Sequence, residues 1–519
     1  MSPSARLFIF LLLYAVGFVC IAQRRQHTAD SSSYIEQPNR IEFMFEKNDI
    51  EFTVINGHEN GLLVVKETAV RNEGGFGWVL YKLDTALQLE WTKLLIVPFE
   101  YSFKGWDYSD QKYYLLFAAK QYTQDDFSIY SIEDSKGLIE EMKFSTVFPI
   151  LLSHFEVLGD SFILAGSVNY KPAVLTFNTA ELKPRVLPGI YSGNSNLLEM
   201  YINDDANVFS IATIERLIDK KYTVSVKTYD TNNQMLQSHR VLPVDRKSII
   251  DGAPTQFSSG VQYIAGAYSY KSPDYSRGLY LSMFLDGEQQ FIKFYNYAEL
   301  SNFFGYMGSR REQRVQERIV KRREKGKKNR FNYRLLVHDI IRQGDHFLLI
   351  GEAYYPRYST YQNLGPYVIN RTSSMGYVTG YKITHAIVVA FDANGNMLWD
   401  HSFPIQNVFK DYLTETVQVI AKKDRVELHY LEENTIRSKV VIGDEVIEGE
   451  SFTPVRLDSE KDQLVIKDPE VEGLERWYED MLYAYGEQMI EHEVSQRVRT
   501  KRDVFYINKV RYNPKDTIQ

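Results

Sequence analysis

AIVVAFDANGNMLWDHSF, residues 386–403, decides how this chain is read. An apolar run reaches Asp392, a short polar turn follows, and a second strand carries Trp399 away from it. Asp and Asn suit such a turn because they bond their own backbone and tolerate its dihedrals. The same figure recurs as GWVLYKLDTALQLEWTKLL around Asp84, FSIYSIEDSKGLIEEMKFS around Asp134 and PAVLTFNTAELKPRVL at Asn178. It returns as YTVSVKTYDTNNQMLQSHRVL at Asp230, LYLSMFLDGEQQFIKFY at Asp286 and IRSKVVIGDEVIEG at Asp444. Subtracting neighbouring positions gives spacings of 50, 44, 52, 56, 106 and 52 residues, and the long interval leaves room for an insertion.

Ahead of each hairpin runs another apolar strand, such as GLLVVKETAV, YYLLFAAKQY or HFLLIGEAYY. Before most of these lies one more, such as FPILLSHFEVL or YRLLVHDIIRQ. Four antiparallel strands per repeat of this length specify an all-β chain, a β-propeller of four-stranded blades. Seven hairpins predict seven blades; a sandwich array would not repeat its turn so regularly. RIEFMFEK (40–47) and VFYINKVRYN (504–513) are the candidate strands that close the ring. Between blade seven and that last strand, Leu474, Trp477, Met481, Tyr485 and Met489 recur at helical spacing, which predicts a C-terminal helix packed on the propeller.

FDANGNMLWDHSF and LDTALQLEWTKLL resemble the hairpin of quinoprotein-type propeller repeats, where D-x-x-G precedes a Trp-containing strand. Trp91 and Trp399 match that pattern, although the glycine is missing near Trp91. The resemblance implies the fold and brings no cofactor residues with it.

The N-terminus speaks to compartment. Arg6 precedes an apolar run over residues 7–22, short for a membrane span of roughly 20 residues and suited to a signal-peptide core. Small residues flank a cut before Gln23, and the ending CIAQ resembles signal peptides of Bacteroidetes. Export to the periplasm or cell surface is expected. Cys20 is the single cysteine, so the mature chain would have no disulfide, cysteine nucleophile or thiolate metal site. The expected organisation is a signal peptide (1–22), a flexible segment (23–39), a propeller (40–450) and a C-terminal extension (451–519). An insertion (303–332) and a long loop (356–383) interrupt the propeller.

Catalytic and metal motifs are weak, and no catalytic residue, metal or cofactor is assigned. HEVSQ at His492 has Gln496 where H-E-x-x-H needs its second histidine. DANGN has Met397 where a calcium loop needs glycine. Glu352 is the one acid placed where a strand end could present it to a face.

The strongest polar signal is SRREQRVQERIVKRREKGKKNR, residues 309–330. Arg310, Arg311, Arg314, Arg318, Lys321, Arg322, Arg323, Lys325, Lys327, Lys328 and Arg330 oppose only Glu312, Glu317 and Glu324. That is 11 − 3 = +8 inside a chain of net charge −7, leaving −7 − 8 = −15 for the rest. Such segregation speaks of partners rather than of fold. Blade six adds Tyr354, Tyr355, Tyr358, Tyr361, Tyr367, Tyr377 and Tyr381 in its long loop, which emerges on the same face as the insertion. Aromatic and cationic side chains on one rim sector suit an anionic envelope lipid or polysaccharide, or an acidic protein. Peripheral membrane association follows from the same charge; nucleic acid is disfavoured by export and by the lack of a recognised module. The reading is a non-catalytic scaffold or binding propeller. The alternative is a glycan- or polymer-processing enzyme with carboxylates in the central channel.

Overall fold

The computed structural model describes residues 34–119, 125–256, 260–270, 273–359, 377–465, 471–495 and 498–514. The expected signal peptide, most of the segment after it, Tyr361 and Tyr367 lie outside these residues. Within them the chain forms eight antiparallel sheets arranged as propeller blades. Blades one to seven run in sequence over residues 49–98, 101–145, 151–186, 195–240, 248–296, 334–404 and 418–454.

All seven Asp/Asn turns join the third and fourth strands of their blades. Their chemistry is local. Asp84 Oδ1 accepts from the amides of Ala86 and Gln88 at 2.8 and 2.7 Å, and Asp230 Oδ1 from those of Asn232 and Gln234 at 3.0 and 2.8 Å. Three residues after the aspartate the backbone turns left-handed, at Gly137 (φ 63°), Asn233 (φ 67°) and Gly395 (φ 74°). Leu87 holds the same conformation (φ 58°) where the glycine is missing, and its side chain is buried between blades eight and one. Burial there offsets the steric cost that a leucine meets in this region.

The turns are also sockets. Trp91 of blade one donates Nε1–H to the carbonyl of Asp134 in blade two, at 2.8 Å. Tyr295 of blade five donates to the Gly395 carbonyl of blade six, and His401 of blade six lies 2.9 Å from the Gly443 carbonyl of blade seven. Lys509 of blade eight reaches the Thr85 carbonyl of blade one at 2.9 Å. A donor on one blade's outer strands thus meets the next blade's turn. A Cβ at Gly395 would come within 2.6 Å of the Phe291 ring, so that socket requires glycine.

The ring has eight blades where the hairpin count predicts seven. The eighth draws on both ends of the chain. Met481–Ser495 pairs with Val498–Tyr512, and the latter pairs in turn with Arg40–Met44 and Ile35–Glu36. The two candidate closing strands do meet, with Ile41 opposite Ile507. The expected C-terminal helix is instead strand. Met481, Tyr485 and Met489 are four residues apart and so share one face of a strand as well as of a helix. Leu482, Ala484 and Ile490, on the opposite face of the strand, are fully buried, and the partner strand decides between the two periods. Glu36 and Gln37, expected to be flexible, are tied in: Gln37 Nε2 donates to the Pro454 carbonyl at 2.9 Å.

Each blade is covered on both faces, which explains the near-continuous apolar middle strands such as Tyr113–Ala119. Eight buried apolar clusters fill the eight inter-blade seams among the described residues. At a coefficient of about 25 cal/mol per Å², such seams supply the main cohesion of a chain without disulfides. First strands of neighbouring blades contact one another, so they form the wall of the central channel. Among the described residues no helix is long and apolar enough to cross a membrane.

Candidate functional site: a cationic groove and an acid-lined channel

The basic block is a helix, Ser309–Glu324, set between the outer strand of blade five and the inner strand of blade six. Its lead-in is core: Phe303 and Phe304 are fully buried in the seam between those blades. Ile319 is buried and Val315 packs against the same cluster, so one stripe of the helix is clamped down. Tyr306 stacks on the His385 ring at 3.6 Å and meets Tyr333 Oη at 3.0 Å, which fastens the approach. Gly326 ends the helix in the left-handed region (φ 62°), and the amide of Lys327 returns to the Arg322 carbonyl. Lys321, Arg322 and Arg323 in the last turn complement the helix dipole.

The bases face outward. Of the eleven, all but Arg322 are exposed, and among the described residues none forms an ion pair. Arg322 and Arg323 instead donate to the carbonyls of Lys328 and Ala298, at 2.8 and 3.5 Å. The expected insertion is therefore a rigid cationic ridge.

The helix's C-terminal end opens onto a groove of about 900 Å³ against blade five. Lys247, Arg277, Arg323, Lys327, Lys328 and Arg330 line it, with Tyr268, Tyr270, Tyr275 and Phe294 among them. The lining carboxylate, Glu299, is held as a cap on the amide of Asn296 at 3.0 Å. Lys247 sits 4.3 Å from the Phe294 ring centre, and Tyr268 packs edge-on to Phe294. Tyr270 and Tyr275 are each 40% exposed; Tyr270 meets Tyr268 edge-on, and the Arg334 guanidinium covers one face of Tyr275 at 4.9 Å.

The described blade-six tyrosines Tyr354, Tyr355, Tyr358 and Tyr381 do not line this groove. Tyr354 packs edge-on to Tyr381 at 5.6 Å and lines the central channel. Tyr355 and Tyr358 are exposed, and Tyr358 bonds Arg334. The hairpin remains paired as far as Ser359 and Tyr377, well inside the loop expected at 356–383. The groove's aromatic half comes from blade five, which the sequence reading passed over.

The second feature is the channel. Glu199, Asp251, Asp339 and Glu415, from four successive blades, line one cavity of about 720 Å³ with Tyr201, Arg334 and Tyr354. Burial pushes the Asp251 carboxyl up to about 7, and the Glu199 charge adds to it. Burial and the Glu415 charge take Asp339 to about 6. Asp107 and Glu156 hold the same register position in blades two and three, each two residues before the end of the inner-strand pairing. Burial raises both, with the Asp204 charge adding to it at Asp107 and the Asp107 charge adding to it at Glu156.

Glu352 is not part of the channel surface. It is fully buried, and one carboxylate oxygen accepts from His338 Nε2 at 3.0 Å and from the amides of Thr416 and Val417 at 2.7 Å each. Burial would raise its pKa, but the His338 bond and charge and the two amides outweigh that and hold it low. Glu352 is a clamp between blades six and seven. Asp392, in the DANGN turn, has both oxygens engaged, by the Asn396 amide and side chain at 2.7 and 2.8 Å.

No family model matches the chain, and no curated protein matches it. Solved structures similar to it are of low identity. The β-propeller domain of the trilobed protease from Pyrococcus furiosus covers 77% of this chain and 95% of its own, at 8% identity and TM-score 0.35. Polysaccharide lyase Uly1 covers 91% and 100%, at 9% identity and TM-score 0.40. A eukaryotic initiation factor covers 92% and 94%, at 10% identity and TM-score 0.40. Function is read from the chain's own sites.

Proposed function

We propose that this chain is an exported, non-catalytic binding propeller of quinoprotein-like repeat type. Its cationic sector docks on an anionic cell-envelope surface or an acidic partner. One observation carries the reading: ten exposed bases stand on or beside a clamped helix, without ion-pair partners among the described residues. A solvating surface ordinarily mixes its signs. This one is held rigid and unneutralised, which steers an anion toward it and limits the ordering cost when it binds.

The test reverses Arg310, Arg311, Arg314 and Arg318 to Glu. Thermal stability should move by less than about 1 kcal/mol, since these side chains are exposed. Sedimentation with phosphatidylglycerol vesicles at low salt should fall at least tenfold, and wild-type binding should weaken as salt rises. Equal binding by both proteins at low and high salt would sink the proposal.

A second reading is favoured by the four carboxylates that line the channel cavity. Raised pKa values among acids of different blades suit general acid–base chemistry on a polymer threaded there. On that reading wild type turns over a polysaccharide, and Asp251→Asn and Glu415→Gln each slow it at least 100-fold. A broad glycan panel without turnover leaves the binding reading alone.

A further inference from the structure

We infer that the groove beside the basic helix is a binding site for an acidic polysaccharide, one whose sugar rings carry carboxylate or sulfate groups. This rests on the cationic-sector reading above and narrows it to one ligand class.

Three properties of the lining point there. The charge is lopsided: six cationic side chains line the groove, and the carboxylate of Glu299 is committed to a backbone amide. Tyr270 and Tyr275 are partly exposed in the lining, with Arg334 backing one face of Tyr275, and such aromatic side chains give sugars contact area at low entropic cost. Ser269, Asn296, Asn329 and Asn332 complete the lining with hydroxyl and amide groups, which both donate to and accept from sugar hydroxyls.

The same lining disfavours the other anions. Ala298 is the aliphatic residue of the groove and Phe294 is already packed by Lys247 and Tyr268, so the lining has no leucine-rich face to enter an acyl layer as a membrane-surface helix does. The site is concave, with a volume inside the range of ligand pockets, whereas a bilayer offers a broad surface. Single-stranded nucleic acid also pairs phosphate with stacking, but the polar uncharged lining matches a hydroxyl-rich chain better.

The bases of the groove and those of the helix's first turns separate the two levels of reading. Arg310, Arg311 and Arg314 are exposed on the helix but absent from the groove lining. Tyr270 and Tyr275 line the groove and carry no charge.

The experiment measures binding of the full chain to polygalacturonate and dextran sulfate, to neutral dextran, to phosphatidylglycerol vesicles and to single-stranded DNA. Wild type should bind both acidic polymers and not the neutral one. The double variant Tyr270→Ala/Tyr275→Ala, with its melting temperature checked, should lose at least tenfold for the acidic polymers while vesicle binding stays within twofold. Lys327→Gln/Arg330→Gln should lose a similar amount and guards against a misfolded tyrosine variant. Unchanged polymer binding in both variants, alongside vesicle binding lost on charge reversal, would overturn the polysaccharide site and leave the wider reading. Tighter binding to DNA than to either polymer, sensitive to the same tyrosines, would overturn it in favour of nucleic acid. Binding to none of the anions would remove both.

Discussion

Replacing Glu352 with alanine should cost about 3–5 kcal/mol, the penalty for removing one member of a buried ion pair. The carboxylate is fully buried in the second strand of blade six, opposite the segment that enters blade seven. Its loss strands two backbone amides and a buried imidazole at once. Burial alone would depress the His338 pKa, and the hydrogen bond and charge of Glu352 are what raise it. Alanine therefore leaves the imidazole without its partner at 3.0 Å, facing the Glu415 carboxylate at 3.6 Å. Glu352→Gln keeps an acceptor for the amides and should recover part of the loss. Urea unfolding of the three proteins checks this. A variant within about 1 kcal/mol of wild type would show that the clamp contributes little.

Stability should fall by about 2–4 kcal/mol between pH 5 and pH 8, with the channel as the cause. Asp251 and Asp339 titrate near 7 and 6 in the folded protein. In the unfolded chain an aspartate titrates at about 3.9. Between those values the folded state holds protons that the unfolded state has released. Their contribution is complete below the unfolded pKa and disappears as pH rises through the folded one. The Asp107–Glu156 pair acts in the same direction. Glu352, Glu427 and Asp462 act oppositely: each is held below its ordinary value, so its contribution is present at neutral pH and is lost in acid. A stability maximum near pH 5 follows. Asp339 is exposed to channel water, so solvent screening discounts its share, and Asp251 carries the slope together with Asp107 and Glu156. Asp251→Asn should flatten the profile and raise stability at pH 8. A wild-type profile that is level or rises over this window would refute the assignment.

The propeller was legible because its repeating unit is bonded within a few residues. Asp84, Asp230 and Asp392 each cap a turn using neighbours at most four positions away, and that chemistry is written in the local sequence. Blade eight escaped the count because its Met481–Ser495 strand reads as a helix and a further strand comes from the other end of the chain, where Arg40 meets Asn508. The false helix arose where two periods coincide at Met481, Tyr485 and Met489. The bases of the helix were legible from composition. Their aromatic companions were not, because Tyr270 and Tyr275 lie in blade five and converge on Arg330 through the fold. The channel acids were hidden for a similar reason: Glu199, Asp251, Asp339 and Glu415 sit roughly one repeat apart or more, and only ring assembly desolvates them together. A recurring carboxylate in successive first strands was the available signal.

The way the eighth blade is assembled sets a timetable. Residues 35–44 are made early, yet their partner strand ends at Tyr512, so they wait through the synthesis of some 450 residues. Until then blade one has a bare flank where Trp477, Tyr483 and Phe505 will later pack. A waiting strand of this kind is an edge with unpaired backbone groups, the feature that invites pairing with other chains. A ring of this design matures late and all at once. Under the exported reading proposed above, that delay is useful, because closure cannot outrun delivery of the last strand.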